Sequence, residues 1–245
     1  MNAEEQLGAH AAELERTNLR LLEANHRLEA ALAFKNDLTS MLTHDVAQPI
    51  SSIASLAELL SADWADLPED VRHELAVKID RNTHRLIKML NDLQLLFRLD
   101  TGAVTARRTP VPVSEVVQSV AAELVDEGGI ALAVDPQLAA LADRAHLGVV
   151  VQQLLRNALA YGEAPVELWA GRRADVLELV VQDRGPGIPE ELVPHLFGRF
   201  MRGAGLGLFI VRHLVEANGG SVRYERAEPR GARMIVTLEA ASVAG

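Results

Sequence analysis

The chain has 245 residues, enough to bury one large core or two modest ones. Its hydrophobic share is 49% and its aromatic share only 4%, and it is rich in Ala and Leu, a balance that favours helix packed on helix. The formal net charge of −10 argues against nucleic-acid binding, and the absence of cysteine excludes disulfides and thiolate chemistry. No run approaches the ~20 apolar residues that span a bilayer, and the acidic, polar N-terminus is unlike a signal peptide. The chain therefore reads as soluble and cytoplasmic, alone or as the cytoplasmic piece of a longer protein.

Residues 1–33 form the first segment. Leu7, Leu14, Leu21 and Leu28 recur every seven residues, and Ala11, Asn18, Asn25 and Leu32 each follow four positions later. Leu at d and Asn at a predict a parallel, two-stranded coiled coil. The alternative is a single amphipathic helix packed on its own domain.

Residues 34–101 read as a helical hairpin. The first helix, 34–63, carries Leu38, Leu42, Val46, Pro49, Ile53, Leu56 and Leu60, all within about 80° at 100° per residue. A break at 65–68 ends on Pro68, suited to the first turn of the next helix, with Glu69 and Asp70 near its positive end. That helix, 68–99, carries Leu75, Ile79, Leu86, Leu90, Leu93 and Phe97. Both stripes are too apolar to face water, and two such hairpins complete a four-helix bundle in a homodimer.

Residues 102–112 read as a linker. Beyond it the pattern predicts helix at 113–126, strand at 129–134, helix at 143–160, strands at 165–171 and 176–182, helix at 204–218, and strands at 220–226 and 232–239. Helices mixed with mostly hairpin-linked strands predict an α+β layered sandwich over 113–240, followed by a tail at 241–245.

His44 lies about 160° from the centre of its helix's apolar stripe, so it is predicted to face solvent. A neutral, exposed imidazole is a good nucleophile toward phosphorus. The adjacent Asp45 can orient the ring and accept a proton. Gln48, one turn on, can position a water or a phosphoryl oxygen. Pro49 has no amide hydrogen to give the Asp45 carbonyl, so the helix is predicted to bend there. The other seven histidines read as surface or partly packed residues, and no spacing supports a zinc site.

Two glycine loops follow. Asp183-Arg184-Gly185-Pro186-Gly187 directly follows a predicted strand; its glycines allow close approach to a ligand, and Asp183 can accept from an exocyclic amine such as that of adenine. Gly203-Ala204-Gly205-Leu206-Gly207-Leu208 opens a helix and exposes amides suited to phosphate. It lacks the features of a dinucleotide-binding fingerprint or a P-loop. On the helix before the first loop, Asn157 offers an oxygen to a hard cation such as Mg²⁺, Gln153 lies one turn earlier, and Tyr161 can contact a base.

Taken in order, these pieces resemble the two-component sensor histidine kinases over roughly residues 10–240. The resemblance implies that His44 to Pro49 is the phosphoacceptor box and Leu154 to Ala158 the Asn box, with Asn157 a Mg²⁺ ligand and Gln153 a second amide within reach of the metal. It implies that Asp183, Gly185 and Gly187 bind adenine and that Phe197 lies in the Phe box. It also implies that Gly203, Gly205, Leu206 and Gly207 form the second glycine box. The ATP-binding half would share the fold of the ATPase superfamily that includes gyrase and the Hsp90 chaperones. Such kinases move the γ-phosphoryl group of ATP to histidine and then to an aspartate on a response-regulator receiver domain, and many also remove it.

This chain departs from that family in four ways. Gln153 replaces an Asn, and Ala160 stands where a lysine is common. Ala47 and Gln48 stand where Arg and Thr or Asn are common, although Gln48 keeps the polar position tied to phosphatase activity. Only Met201-Arg202 separates Phe200 from Gly203, where the family has a lid of about ten or more residues that excludes water. Arg199 and Arg202 are then the charges left nearby, which predicts weak ATP affinity or fast exchange. Two rival readings stay open: a degenerate kinase acting as phosphatase or phosphotransfer hub, and a non-enzymatic dimeric scaffold for a regulator.

Overall fold

The structure, a computed structural model, describes residues 3–100, 104–124, 129–198 and 206–241. Its contacts divide the chain into two units, Met1–Thr83 and His84–Gly245. No helix among the described residues is long and apolar enough to cross a membrane.

The first unit opens with α1 (Ala3–Ser40), a continuous helix of 38 residues. Leu14, Leu21 and Leu28, at the predicted d positions, are 69%, 63% and 58% exposed. A six-residue π-helical turn, Met41–Val46, separates α1 from α2 (Ala47–Ala62). The sequence predicts unbroken helix here with a bend at Pro49. The structure instead widens the turn that contains the Asp45 carbonyl, which an α-helical Pro49 ring would strike. Asp66 and Leu67 donate to the Asp63 carbonyl at 2.9 and 3.0 Å to close the loop after α2. The Arg72 guanidinium lies 5.0 Å from the centroid of Trp64.

Next comes α3 (Glu69–Asp100), whose two halves belong to different units. The Pro68 carbonyl accepts from the Arg72 amide, which places Pro68 just outside the first turn. In the single chain the inward face of α3 shares Leu75 with the predicted stripe. Leu75 is buried as predicted, but Met89 and Leu96 are buried at 5% and 0% exposure while Leu90 and Phe97 are 47% and 44% exposed.

The second unit adds a seven-stranded sheet to the end of α3. Its strands are β1 (Thr109–Pro112), β2 (Ile130–Val134), β3 (Ala139–Ala142), β4 (Val166–Arg173), β5 (Val176–Gln182), β6 (Ser221–Arg226) and β7 (Ala232–Ala241). The order is β1-β3-β7-β5-β4-β2, with β6 also paired to β7. All pairs are antiparallel except β2 with β4. β1 lies in the stretch expected to be linker, and its register sets Val111 opposite Ala140. Neither β1 nor β3 was predicted.

Three helices, α4 (Val113–Ala122), α5 (Arg144–Tyr161) and α6 (Gly207–Ala217), pack on one another and on this sheet. β4 alternates buried and half-buried residues, with Val166, Leu168 and Ala170 inward, as a sheet covered on one face requires. The core gathers Val117, Leu154, Leu155, Leu168, Leu179, Ile210 and Leu214, each at most 1% exposed. Removing one such leucine side chain costs about 2–5 kcal/mol. This two-layer arrangement sets the C-terminal part of α5, the end of β5 and the start of α6 around one cavity.

Candidate functional site

His44 sits in the π-helical turn of the first unit with its side chain 81% exposed. Its Nδ1 lies 3.0 Å from Asp45 Oδ1, and the Asp45 side chain is only 19% exposed. A carboxylate accepts only, so this bond places the ring proton on Nδ1 and leaves the Nε2 lone pair facing solvent. Gln48 is exposed on the same helix.

The second unit holds a cavity of about 300 Å³, at the lower end of the range for small-molecule sites. Leu154, Ala158, Val181, Ile188, Leu192, Leu196 and Met234 give it apolar walls. Its polar lining comes from Lys88, Asp92, Gln153, Asn157, Tyr161 and Asp183. Gln153, Asn157 and Tyr161 follow one another at i, i+4 and i+8 on α5, so one helix face presents all three.

Asp183, at the end of β5, is 6% exposed. Its Oδ1 accepts from the Gly185 amide at 2.8 Å and the Ala232 amide at 3.2 Å. The carboxylate is thereby fixed in direction, with its second oxygen left to another donor. Glycines make this possible by their lack of a side chain. A Cβ on Gly162 would lie 2.5 Å from Asp183 Cβ and Cγ. One on Gly231, at φ +123°, would lie 2.0 Å from the Asp183 carbonyl oxygen. Gly187, at φ +77°, turns the loop, and the Ile188 amide donates to the Tyr224 hydroxyl at 3.2 Å.

Gln153 is 3% exposed. Its Nε2 donates to Asp92 Oδ1 at 3.0 Å, while its buried Oε1 has no hydrogen-bond partner among the described residues. Leaving such an oxygen unpaired costs about 1–3 kcal/mol, so this atom is poised for a ligand. Burial pushes the Asp92 carboxyl up, against the opposing pull of Lys88, the Gln153 hydrogen bond and Arg156. A Cβ at Gly207, the first residue of α6, would lie 2.9 Å from Gln153 Oε1 and 3.7 Å from Asn157 Oδ1. The Gln153 oxygen and the Asn157 amide group, whose Nδ2 would lie 3.6 Å away, thus border the start of α6, where the helix dipole favours an anion. Leu206, just before it, is fully buried.

The structure brings together Gln153, Asn157, Tyr161, Asp183, Gly187 and Gly207. Gly185 and Phe197 do not line the cavity: Gly185 holds Asp183 through its amide, and Phe197 is half-buried after the 3₁₀ turn Glu190–His195. Arg199, Arg202, Gly203 and Gly205, and with them the short lid, lie outside the described residues. Lys88, Asp92, Gly162, Tyr224 and Gly231 were not singled out in the sequence. The approach of Gly162 to Asp183 follows from tertiary packing alone. The apolar walls, the pinned carboxylate, the unpaired amide oxygen and the open helix start together fit a purine nucleotide with a hard cation.

Residues 34–102 match the His Kinase A (phospho-acceptor) domain, and residues 142–242 match the histidine kinase-, DNA gyrase B-, and HSP90-like ATPase. The chain belongs to the histidine kinase family and carries the two domains of its catalytic core. It is 31% identical over 232 residues to the sensor histidine kinase TrcS of Mycobacterium tuberculosis, covering 82% of this chain and 43% of TrcS. It is also 31% identical over 218 residues to the sensor-like histidine kinase SenX3 of Mycolicibacterium smegmatis, covering 80% of this chain and 54% of SenX3. The chain thus spans about half the length of the curated relatives it matches. Among solved structures, full-length ShkA in complex with AMPPNP superposes with a TM-score of 0.62 at 28% identity, over 84% of this chain and 46% of that one.

Proposed function

We propose that the chain is an ATP:protein-histidine phosphotransferase that phosphorylates His44 and passes the group to an aspartate of a response-regulator receiver domain. The observation that carries this reading is the exposed His44 ring, held through Nδ1 by Asp45 so that Nε2 is the free nucleophile. As the Nε2–phosphorus bond forms, the bond from the γ-phosphorus to the β–γ bridging oxygen breaks and ADP leaves. Asp45 stabilises the imidazolium through its Nδ1 proton and takes up that proton afterwards.

In the second unit the Asp183 carboxylate receives the exocyclic amine of adenine, and the apolar walls and Tyr161 flank the base. Asn157 and Gln153 hold Mg²⁺ through their amide oxygens, and the amides at the start of α6 face the phosphates. Bound Mg²⁺ neutralises charge on the transferring phosphoryl group. The ATP-analogue complex of ShkA supports this assignment by similarity. The exposed heptad leucines of α1 and the phospho-acceptor domain support a parallel homodimer. This reading sets the chain in the cytoplasm, where ATP and receiver domains meet.

A phosphatase or phosphotransfer role is favoured by one further observation: Gln48 is exposed one turn after His44, while Ala160, also exposed, supplies no phosphate-directed charge. One assay tests the main reading. With γ-labelled ATP and Mg²⁺, the unaltered chain takes up label and His44→Gln takes up none. Label that persists in His44→Gln overturns the assignment.

A further inference from the structure

Gln153 has one rotatable bond more than the asparagine common at its position, so its amide needs an outside partner to hold one orientation. Asp92 is that partner. An ionised carboxylate only accepts hydrogen bonds. The 3.0 Å contact from Gln153 Nε2 to Asp92 Oδ1 therefore fixes which end of the amide faces α3. The carbonyl end must point the other way. There Oε1 is buried without a hydrogen-bond partner among the described residues, beside Gly207 and on the same side as the Asn157 side-chain amide. A partner able to donate at position 92 would let the amide turn over and present its NH₂ group to a cation.

We infer that Asp92 is a positioning residue that orients Gln153 so that its carbonyl oxygen, together with that of Asn157, faces a divalent cation at the start of α6. The inference rests on the reading of Gln153 and Asn157 as Mg²⁺ ligands. Asp92 borders the cavity, and in this scheme it acts through Gln153. Partners that orient a metal ligand from behind govern affinity for the ion more than the fold. A carboxylate on α3, the helix that follows the His44 segment, then helps to shape the metal end of the nucleotide cavity.

The test measures ADP affinity by calorimetry in the full chain, with Mg²⁺ and with chelator, and Mn²⁺ affinity of the ADP complex by electron paramagnetic resonance. In the unaltered chain Mg²⁺ tightens ADP binding. In Asp92→Ala, and in the nearly isosteric Asp92→Asn, Mn²⁺ affinity falls by about tenfold or more, while ADP affinity in chelator stays within about twofold. The double variant Asp92→Asn with Gln153→Glu restores the metal effect, because the new carboxylate accepts from the new amide and still offers an oxygen to the cation.

Asp92→Ala and Asp92→Asn that keep the full Mg²⁺ effect overturn the inference. So does an equal loss of ADP affinity with and without metal, which marks Asp92 as a packing residue or a direct contact of the nucleotide. If Mg²⁺ leaves ADP affinity unchanged in the unaltered chain, the metal reading of Gln153 and Asn157 fails first, and the role of Asp92 falls with it.

Discussion

The His44 turn and the Asp183 loop are built on opposite terms. His44 stands on an exposed turn and is 81% open to solvent, with one neighbouring carboxylate to orient it. Asp183 is 6% exposed, fixed by two amides and enclosed by backbone that approaches closer than any side chain allows. A group that must present itself to successive partners has to stay accessible. A group that must recognise one small molecule has to be pinned. Substitution should therefore separate function from stability at the first region and merge them at the second.

The largest expected break in that contrast comes from the glycines around Asp183. Gly231→Ala puts a Cβ 2.0 Å from the Asp183 carbonyl oxygen at a positive φ, a combination that costs about 2–5 kcal/mol. Gly162→Ala isolates the close approach, since only the 2.5 Å contacts with Asp183 and the Ala158 carbonyl oppose it. Differential scanning calorimetry should show the second unit melting about 5–15 °C lower in Gly231→Ala, with ATP binding lost in parallel. His44→Gln should leave the melting temperature unchanged, as exposed substitutions do. A Gly231→Ala protein that melts normally would remove the contrast.

A smaller effect sharpens it. Asp183→Asn keeps an oxygen to accept from the Gly185 and Ala232 amides but replaces the remaining acceptor with a donor. Nucleotide affinity should fall about tenfold to a hundredfold, the worth of a hydrogen bond to a charged group, with little change in melting. Calorimetric titration with ATP and with an analogue lacking the exocyclic amine separates the two contributions. If both ligands lose affinity equally, Asp183 acts on the fold of the loop and not on the amine.

How much of this was legible in the sequence follows the same division. Strand 176–182 was predicted to the residue because Val and Leu dominate a run bounded by turn residues. The exposure of His44 followed from helical phase, although the π-helical turn that carries it did not. β1 is hidden by its two prolines, tolerated there because it lies at the sheet edge and, among the described residues, pairs only with β3. β3 was hidden by its shortness and its alanines. At the site, Gln153, Asn157 and Asp183 were visible through spacing and position. Asp92, Gly162, Tyr224 and Gly231 come from separate elements, and only the packing of α3, α5, β6 and β7 brings them to the same place.

The smallest expected effect concerns the far end of α5, where the second unit depends on charge. Asp143 caps α5, its Oδ1 accepting from the Ala145 amide at 3.0 Å and the His146 amide at 3.2 Å. Its Oδ2 accepts from the Arg107 amide at 3.1 Å, and its own amide donates to Asn218 at 2.7 Å. Burial works to raise its carboxyl, but the His146 and Arg107 amides, the His146 charge and the Ala145 amide together hold it below the usual carboxylate range. A depressed folded value means that ionised Asp143 favours the folded state. That contribution is present above the unfolded carboxyl value near pH 4 and disappears as pH falls through the folded one. Asn caps a helix about as well as Asp, so Asp143→Asn leaves the cap while removing the charge and the acceptor of the Arg107 amide. At neutral pH the variant should lose about 0.3–1 kcal/mol, and thermal melts from pH 7 to pH 2.5 should show the gap to the unaltered chain closing at the acid end. A gap that stays constant with pH would mean that ionisation of Asp143 carries none of its effect.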